Sequence, residues 1–220
     1  MTDVNLWSRT DHAHAYLARA DAIPRRGEGQ EALLEWVPAR ATRVLDLGAG
    51  DGRLLGAVLA HLPAATGVAL DFSSAMLDRL HARFPAGGPV LVVEHDLDRP
   101  LPPLGAFDAV VSSFAIHHVS DQRKAQLYAE VYDALVPGGM FCNLEHVASA
   151  TPALHLAFLD ALGVAPDEDD PSNKLAPVET QLGWLRDIGF EDVDCQWKWR
   201  ELALLVGRRP LAPARDPVAG

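Results

Sequence analysis

Short apolar runs recur along the chain, separated by longer stretches in which apolar residues return every three or four positions. "RVLDLG" (43–48), "ATGVALD" (65–71), "VLVVEHD" (90–96), "FDAVVSSFA" (107–115) and "GGMFCNLEHV" (138–147, after the turn "VPGG") read as five strands. Between them, "RLLGAVLAHL", "SSAMLDRLHARF" with Ser73 or Ser74 as its cap, and "DQRKAQLYAEVYDAL" (121–135) read as helices. Continuous apolar strands, rather than alternating ones, are buried on both faces. They therefore predict a parallel sheet with helices on either side. The pattern then changes. "VETQLGWLRDIGF" is a helix ending near Gly189, and "EDVDCQWKWRELALLVG" is a pair of strands joined tightly around Trp199–Arg200. That closing hairpin makes the sheet mixed, in a single α/β domain.

Two segments stand outside this scheme. Residues 1–40 predict N-terminal cap helices, around 9–20 and 28–37. Residues 148–178 insert a helix ("PALHLAFLDAL") and an acidic, proline-bearing loop over the active site of the 41–209 domain. The tail, residues 210–220, reads as a frayed, disordered end.

Charge narrows the choice of partner. The formal charge of −11 repels phosphate backbones and argues against nucleic acid. Arg25–Arg26 and Arg208–Arg209 are only isolated basic pairs, and "DEDD" (167–170) points the other way. No long apolar run predicts a membrane span, and the first residues lack the apolar core of a signal peptide, so a cytoplasmic protein is expected. Cys142 and Cys195 are too few for a metal framework and read as reduced core residues.

The candidate chemistry starts at "VLDLGAGDG" (44–52). Its G-x-G-x-G spacing is one residue tighter than the dinucleotide fingerprint, and no Lys-Ser/Thr follows as in a P-loop. Glycines let a ligand lie against bare main chain. Asp46 brings a carboxylate beside that ligand, awkward for a pyrophosphate and welcome for an ammonium. Asp71, ending the second strand, can accept both hydroxyls of a ribose. Phe72 offers a purine an apolar surface, and Asp96-Leu97 can meet an adenine amino group. An amino acid end, a ribose and an adenine without phosphates describe S-adenosylmethionine (SAM).

Four blocks in order, "VLDLGAGDG", "GVALD", "FDAVVSSFAIHHV" and "LVPGGMFCNLEHV", make the chain resemble a class I SAM-dependent methyltransferase of the small-molecule type, similar to the ubiquinone/menaquinone methyltransferases. The resemblance implies a Rossmann-like, doubly wound seven-stranded sheet in order 3-2-1-4-5-7-6 with strand 7 antiparallel. It also implies that Asp46, Gly48, Ala49, Gly50 and Gly52 lie along the methionine part of SAM, with S-adenosylhomocysteine as product. Asp71 then holds the ribose, Phe72 and Met76 flank the adenine, Asp96 and Leu97 bind its edge, and Ser113 sits beneath. Met76 is equally explained by ordinary helix packing.

Methyl transfer needs alignment more than covalent help, and a base only when the acceptor carries a proton of high pKa. The catalytic candidates are His117 and His118, past the fourth strand, and Glu145 and His146, ending the fifth. Each pair has structural readings too, and alternation along a strand lets only one of each reach a pocket. No ligand spacing supports a metal. Tyr16, Arg25 and Arg26 could cover SAM and hold its carboxylate, or form a solvated surface. Trp197 and Trp199, with Trp184, could attract a cationic substrate or pack a sheet edge. The reading is a methyltransferase acting on a small molecule, monomeric or homodimeric. The alternatives are a non-catalytic or regulatory SAM-binding protein, and an RNA or protein methyltransferase. A dehydrogenase is disfavoured by the glycine spacing.

Overall fold

A computed structural model describes residues 23–212. Its sheet contains β1 (Arg43–Leu47), β2 (Thr66–Asp71), β3 (Val90–Glu94), β4 (Phe107–Ser113), β5 (Leu135–His146), β6 (Glu191–Trp199) and β7 (Leu202–Arg208). They lie in the order β3-β2-β1-β4-β5-β7-β6, as expected. The first five run parallel, while β7 pairs antiparallel with both β5 and β6. The helices are α1 (Arg26–Trp36), α2 (Arg53–His61), α3 (Ser74–Arg83), α4 (Asp121–Ala134), α5 (Pro152–Leu162) and α6 (Val178–Ile188). The helix expected at 9–20 lies outside the described residues, as does most of the tail.

Strand alternation divides the core into two layers. On one face Val44, Val111 and Leu144 pack with Leu33 of α1, Leu54, Leu55 and Val58 of α2, and Leu80 of α3. On the other, Leu45, Leu47 and Phe141 pack with Leu127, Tyr128 and Val131 of α4 and Leu182 and Leu185 of α6. Asp46 falls on the first face. Its neighbours in sequence are apolar and fully buried, so the period of β1 alone carries a carboxylate into the α1 side of the sheet.

Several details depart from the sequence reading. β5 begins at Leu135 rather than after the "VPGG" turn, because Gly138 N and Arg209 N pair across to Arg209 O and Gly139 O, at 2.9 Å each, and extend the ladder. β3 stops at Glu94, which leaves His95, Asp96 and Leu97 in the loop beyond it. Ser73 occupies the cap position of α3 without a capping side-chain bond; its own N–H donates to Asp71 Oδ1 at 2.9 Å. Trp197 and Trp199 do share a layer, the one containing α1, but Trp184 belongs to the opposite layer against Tyr128, so the three form no common cage. Cys142 is buried in the sheet, whereas Cys195 is only partly covered on the edge strand.

Two glycines of the turn after β1 are required by close approach as well as by positive φ. A Cβ on Gly48 (φ 65°) would meet Ala115 Cβ at 2.2 Å. One on Gly52 (φ 78°) would meet Phe84 at 2.5 Å and Leu80 at 2.9 Å, inside the α2–α3 contact. Gly52→Ala therefore combines left-handed strain with overpacking and is expected to destabilise the fold by about 2–4 kcal/mol. Urea denaturation of the variant measures this; a loss below about 0.5 kcal/mol, the level of an ordinary surface change, would contradict the packing account.

Candidate functional site

Where β1 and β4 lie side by side, the chain leaves their carboxyl ends in opposite directions and opens a crevice. The cleft there is about 910 Å³ including its mouth. It is lined by Arg26, Asp46, Gly48, Ala49, Gly50, Asp71, Phe72, Met76, Asp96, Leu97 and Ser113 among the anticipated residues. Gly52 does not line it and serves the helix contact instead. Tyr16 lies outside the described residues. Arg25 is drawn away into an exposed ion pair with Glu28 at 2.9 Å.

The polar groups of this cleft are unusual in what they lack. Both oxygens of Asp46 are buried without a hydrogen-bond partner among the described residues. Burial, followed by the neighbouring charge of Asp71, holds its carboxyl well above the usual carboxylate range, against the opposing pull of the nearby Leu55 backbone N–H, which falls short of full hydrogen-bond geometry. Ser113 Oγ and His95 Nε2 are likewise buried and unpartnered. Buried polar atoms are normally satisfied, so three such residues around one crevice describe a surface shaped for a polar ligand. Asp71 is tied down: its Oδ2 accepts from Gly50 N and its Oδ1 from Ser73 N, both at 2.9 Å. Burial raises its pKa, and those backbone donors oppose the shift. The Gly50 position faces open space, with nothing within 4 Å of a Cβ built there, so its main chain is bare to the cleft. Asp96 closes a tight turn by accepting from Asp98 N at 3.0 Å.

His95, Arg53, Phe114 and Val119 also line the cleft and were not singled out from the sequence. His95 had a usable signal, since it directly precedes Asp96 at the end of an apolar run. Phe114 had none: it reads as one more core residue. In the structure it takes φ 54°, rare for a side chain of its size, and the Arg26 guanidinium lies 5.2 Å from its ring centroid.

The four catalytic candidates separate. His118 alone lines the cleft. His117 turns inward, its Nδ1 2.7 Å from Glu145 Oε1, and both are buried. Glu145 Oε1 also accepts from His146 N at 2.9 Å, and its Oε2 from Asn143 Nδ2 at 3.3 Å. His146, on the other side of β5, pairs through Nε2 with Glu201 Oε2 at 2.9 Å, and Glu201 reaches His155 Nδ1 at 3.0 Å. Burial pushes the Glu145 carboxyl up to about 7 and holds His117 well below the ordinary histidine value, with His146 adding to the latter. Burial and the adjacent His117 ring, 4.0 Å away between centroids, bring His118 down to about 2. His118 is thus a neutral imidazole near neutrality, able to hydrogen-bond but not to store a proton. Among the described residues no group of three or more His, Cys, Asp or Glu is arranged to hold a metal ion, and no helix is long and apolar enough to cross a membrane.

Comparison with known proteins agrees with this layout. A family model described as a methyltransferase domain matches residues 44–139. An uncharacterized methyltransferase of Mycobacterium tuberculosis is 36% identical over 155 residues, covering 68% of this chain and 75% of that protein. A demethylmenaquinone methyltransferase of Clavibacter sepedonicus is 32% identical over 173 residues, covering 71% of this chain and 69% of its own length. The solved structure of an O-methyltransferase family protein from Burkholderia thailandensis superposes with a TM-score of 0.73 at 25% identity. That match covers 94% of this chain but 63% of the solved chain, so the present chain spans under two thirds of its length. The family match, the mycobacterial relative and the shared fold together show that the chain belongs to the class I SAM-dependent methyltransferases.

Proposed function

We propose that this chain transfers a methyl group from SAM to a small-molecule acceptor, with the cleft at the ends of β1, β2 and β4 as the cofactor site. The observation that carries the reading is Asp46: a buried carboxylate without a hydrogen bond, facing a crevice, is suited to a ligand ammonium. Asp71, held rigid by Gly50 and Ser73, retains lone pairs for ribose hydroxyls. Phe72 and Met76 would flank the adenine, and Asp96 and Leu97 would meet its edge. Ser113 Oγ and the bare main chain at Gly48–Gly50 would follow the methionine part, with Arg26 near its carboxylate.

When bound, the cofactor supplies a methyl group already activated by its sulfonium. What remains for the protein is to align the acceptor and exclude water. His118 sits on the cleft wall as a neutral hydrogen-bonding group, backed by the buried His117–Glu145 pair. The charge of −11 disfavours a nucleic acid acceptor. The relatives named for menaquinone and O-methyl chemistry support a small acceptor.

Production of S-adenosylhomocysteine from SAM in the presence of fractionated metabolite pools tests turnover; binding without turnover across all fractions would favour a regulatory SAM-binding role. Asp71→Ala is expected to weaken SAM binding by about 10- to 100-fold in calorimetry, the loss of charged hydrogen bonds, and unchanged affinity would contradict the placement of the ribose. Asp46 gives a pH signature. Its raised pKa makes the carboxyl take up a proton at higher pH than an ordinary carboxylate, and an ammonium ligand binds the ionised form. SAM affinity should therefore rise with pH and level off above the folded pKa of Asp46. In Asp46→Asn the affinity should be lower and this slope absent; a slope that persists would assign it to another group.

A further inference from the structure

Between Glu94 and Phe107 the chain crosses the rim of the cleft with no helix or strand to hold it. This loop carries Asp96 and Leu97, which line the cleft. Pro100, Pro102 and Pro103 have no N–H to offer a ladder. One buried side chain takes over the task. Arg123 of α4 donates from Nε to Leu97 O at 2.6 Å and from Nη2 to Arg99 O at 2.7 Å. The same guanidinium meets Glu130, Nη1 to Oε1 at 2.6 Å and Nη2 to Oε2 at 2.8 Å. Glu130 Oε2 in turn accepts from Leu101 N at 2.9 Å. Seven positions apart, the two residues lie two turns apart on one face of α4. Burial works to raise the Glu130 carboxyl, yet Arg123 and Leu101 N hold it below its ordinary value, so the pair stays ionised near neutrality.

One of these grips reaches the ligand side. The carbonyl of Leu97 and the N–H of Asp98 belong to one planar peptide and point in opposite directions. Arg123 holds the carbonyl end, while the N–H end donates to Asp96 Oδ1 at 3.0 Å. The orientation of that peptide therefore sets the orientation of the Asp96 carboxylate. Upstream, His95 N donates to Asp71 O at 2.9 Å and ties the start of the loop to β2. We infer that Arg123, braced by Glu130, is a positioning residue for the base: through the Leu97–Asp98 peptide it aims the Asp96 carboxylate, and so makes the cleft select a 6-amino purine over a 6-oxo purine. This rests on the proposed placement of the adenine edge at Asp96 and Leu97. Arg123 and Glu130 stand outside the cleft lining, so their effect passes through Asp96. An aimed carboxylate accepts from a 6-amino group, whereas a 6-oxo group turns a lone pair toward it. A carboxylate that can swing loses the first contact and escapes the second clash. Apolar residues often replace a buried ion pair without loss of stability, so geometry is the stronger reason for this one.

Calorimetry with S-adenosylhomocysteine and its deaminated analogue S-inosylhomocysteine, which differs only at the base, reads the selectivity. The unaltered full chain should prefer the former. Arg123→Lys keeps the charge but loses the planar fork, and should cut that preference by about 10-fold. Arg123→Met combined with Glu130→Leu removes the pair without stranding a buried charge and should do the same, with a thermal melt close to that of the unaltered chain. Asp96→Ala should also lower the preference, and adding Arg123→Lys to it should lower it no further, since both changes act on one carboxylate. Equal weakening of both ligands in the Arg123 variants, an unchanged preference, or effects that add to Asp96→Ala would overturn the inference while leaving the cofactor reading in place. Failure of the unaltered chain to bind S-adenosylhomocysteine would overturn the cofactor reading itself, and this inference with it.

Discussion

A carboxylate that is 1% exposed and has no hydrogen-bond partner of full geometry among the described residues is the constraint on which the proposed site depends. Asp46 sits on a strand between apolar Val44, Leu45 and Leu47, in a sheet covered on both faces, so the period of β1 leaves it nowhere else to point. At 1% exposure little water can restore its hydration, and Asp71 adds like charge. An isolated buried charge costs several kcal/mol, and a group so placed either takes up a proton or receives a cation. In the proposed function the second solution holds, with the cationic amino acid end of the cofactor as the partner of Asp46.

The rest of the site follows from strand order. Reversal of the winding direction between β1 and β4 parts the loops above Asp46, and the parallel neighbours bring Asp71 and Ser113 to the same rim. The glycine turn keeps the rim thin: Gly48 passes against Ala115, and Gly50 leaves its main chain open. α1 crosses the same face, its Gly29 so close to Leu144 and Trp197 that a Cβ would lie 2.8 Å from the former, and this approach delivers Arg26 to the mouth. Farther along, β5 carries two adjoining polar groups. Glu145 and His117 are buried behind the cleft wall, while His146, its ring 5.5 Å from that of His117, joins β5 through Glu201 of the β6–β7 turn to His155 of α5. Buried pairs of this kind contribute rigidity and a fixed geometry more than net stability.

The proposed cofactor cleft was legible because its parts are local. Asp46 interrupts an apolar run near its end, Asp71 ends one and Asp96 lies just past one, and strand period plus parallel order places them together without any long-range information. The expected sheet order rested on the family resemblance, since apolar runs alone fix neither neighbours nor the hand of the closing hairpin. What sequence could not give depended on contacts across the fold. Gly52 belongs to the same glycine run as Gly48, yet its reason is the Phe84 ring, 32 residues on in the sequence. Trp184 and Trp197 look like one aromatic set until the sheet comes between them. Glu145 and His118 look like a catalytic pair until alternation along β5 turns the carboxylate behind the wall. Ser172 is a plain loop serine until the insert folds back 54 residues to His118.

The account turns on Asp46 meeting an ammonium group, and calorimetry can ask that question with the ligand rather than the protein. S-adenosylhomocysteine should bind about 10- to 100-fold more tightly than its des-amino analogue, which keeps the adenine, ribose, thioether and carboxylate but lacks the nitrogen. Equal affinities would mean that the buried carboxylate plays no part in holding the cofactor, and the central claim would fall.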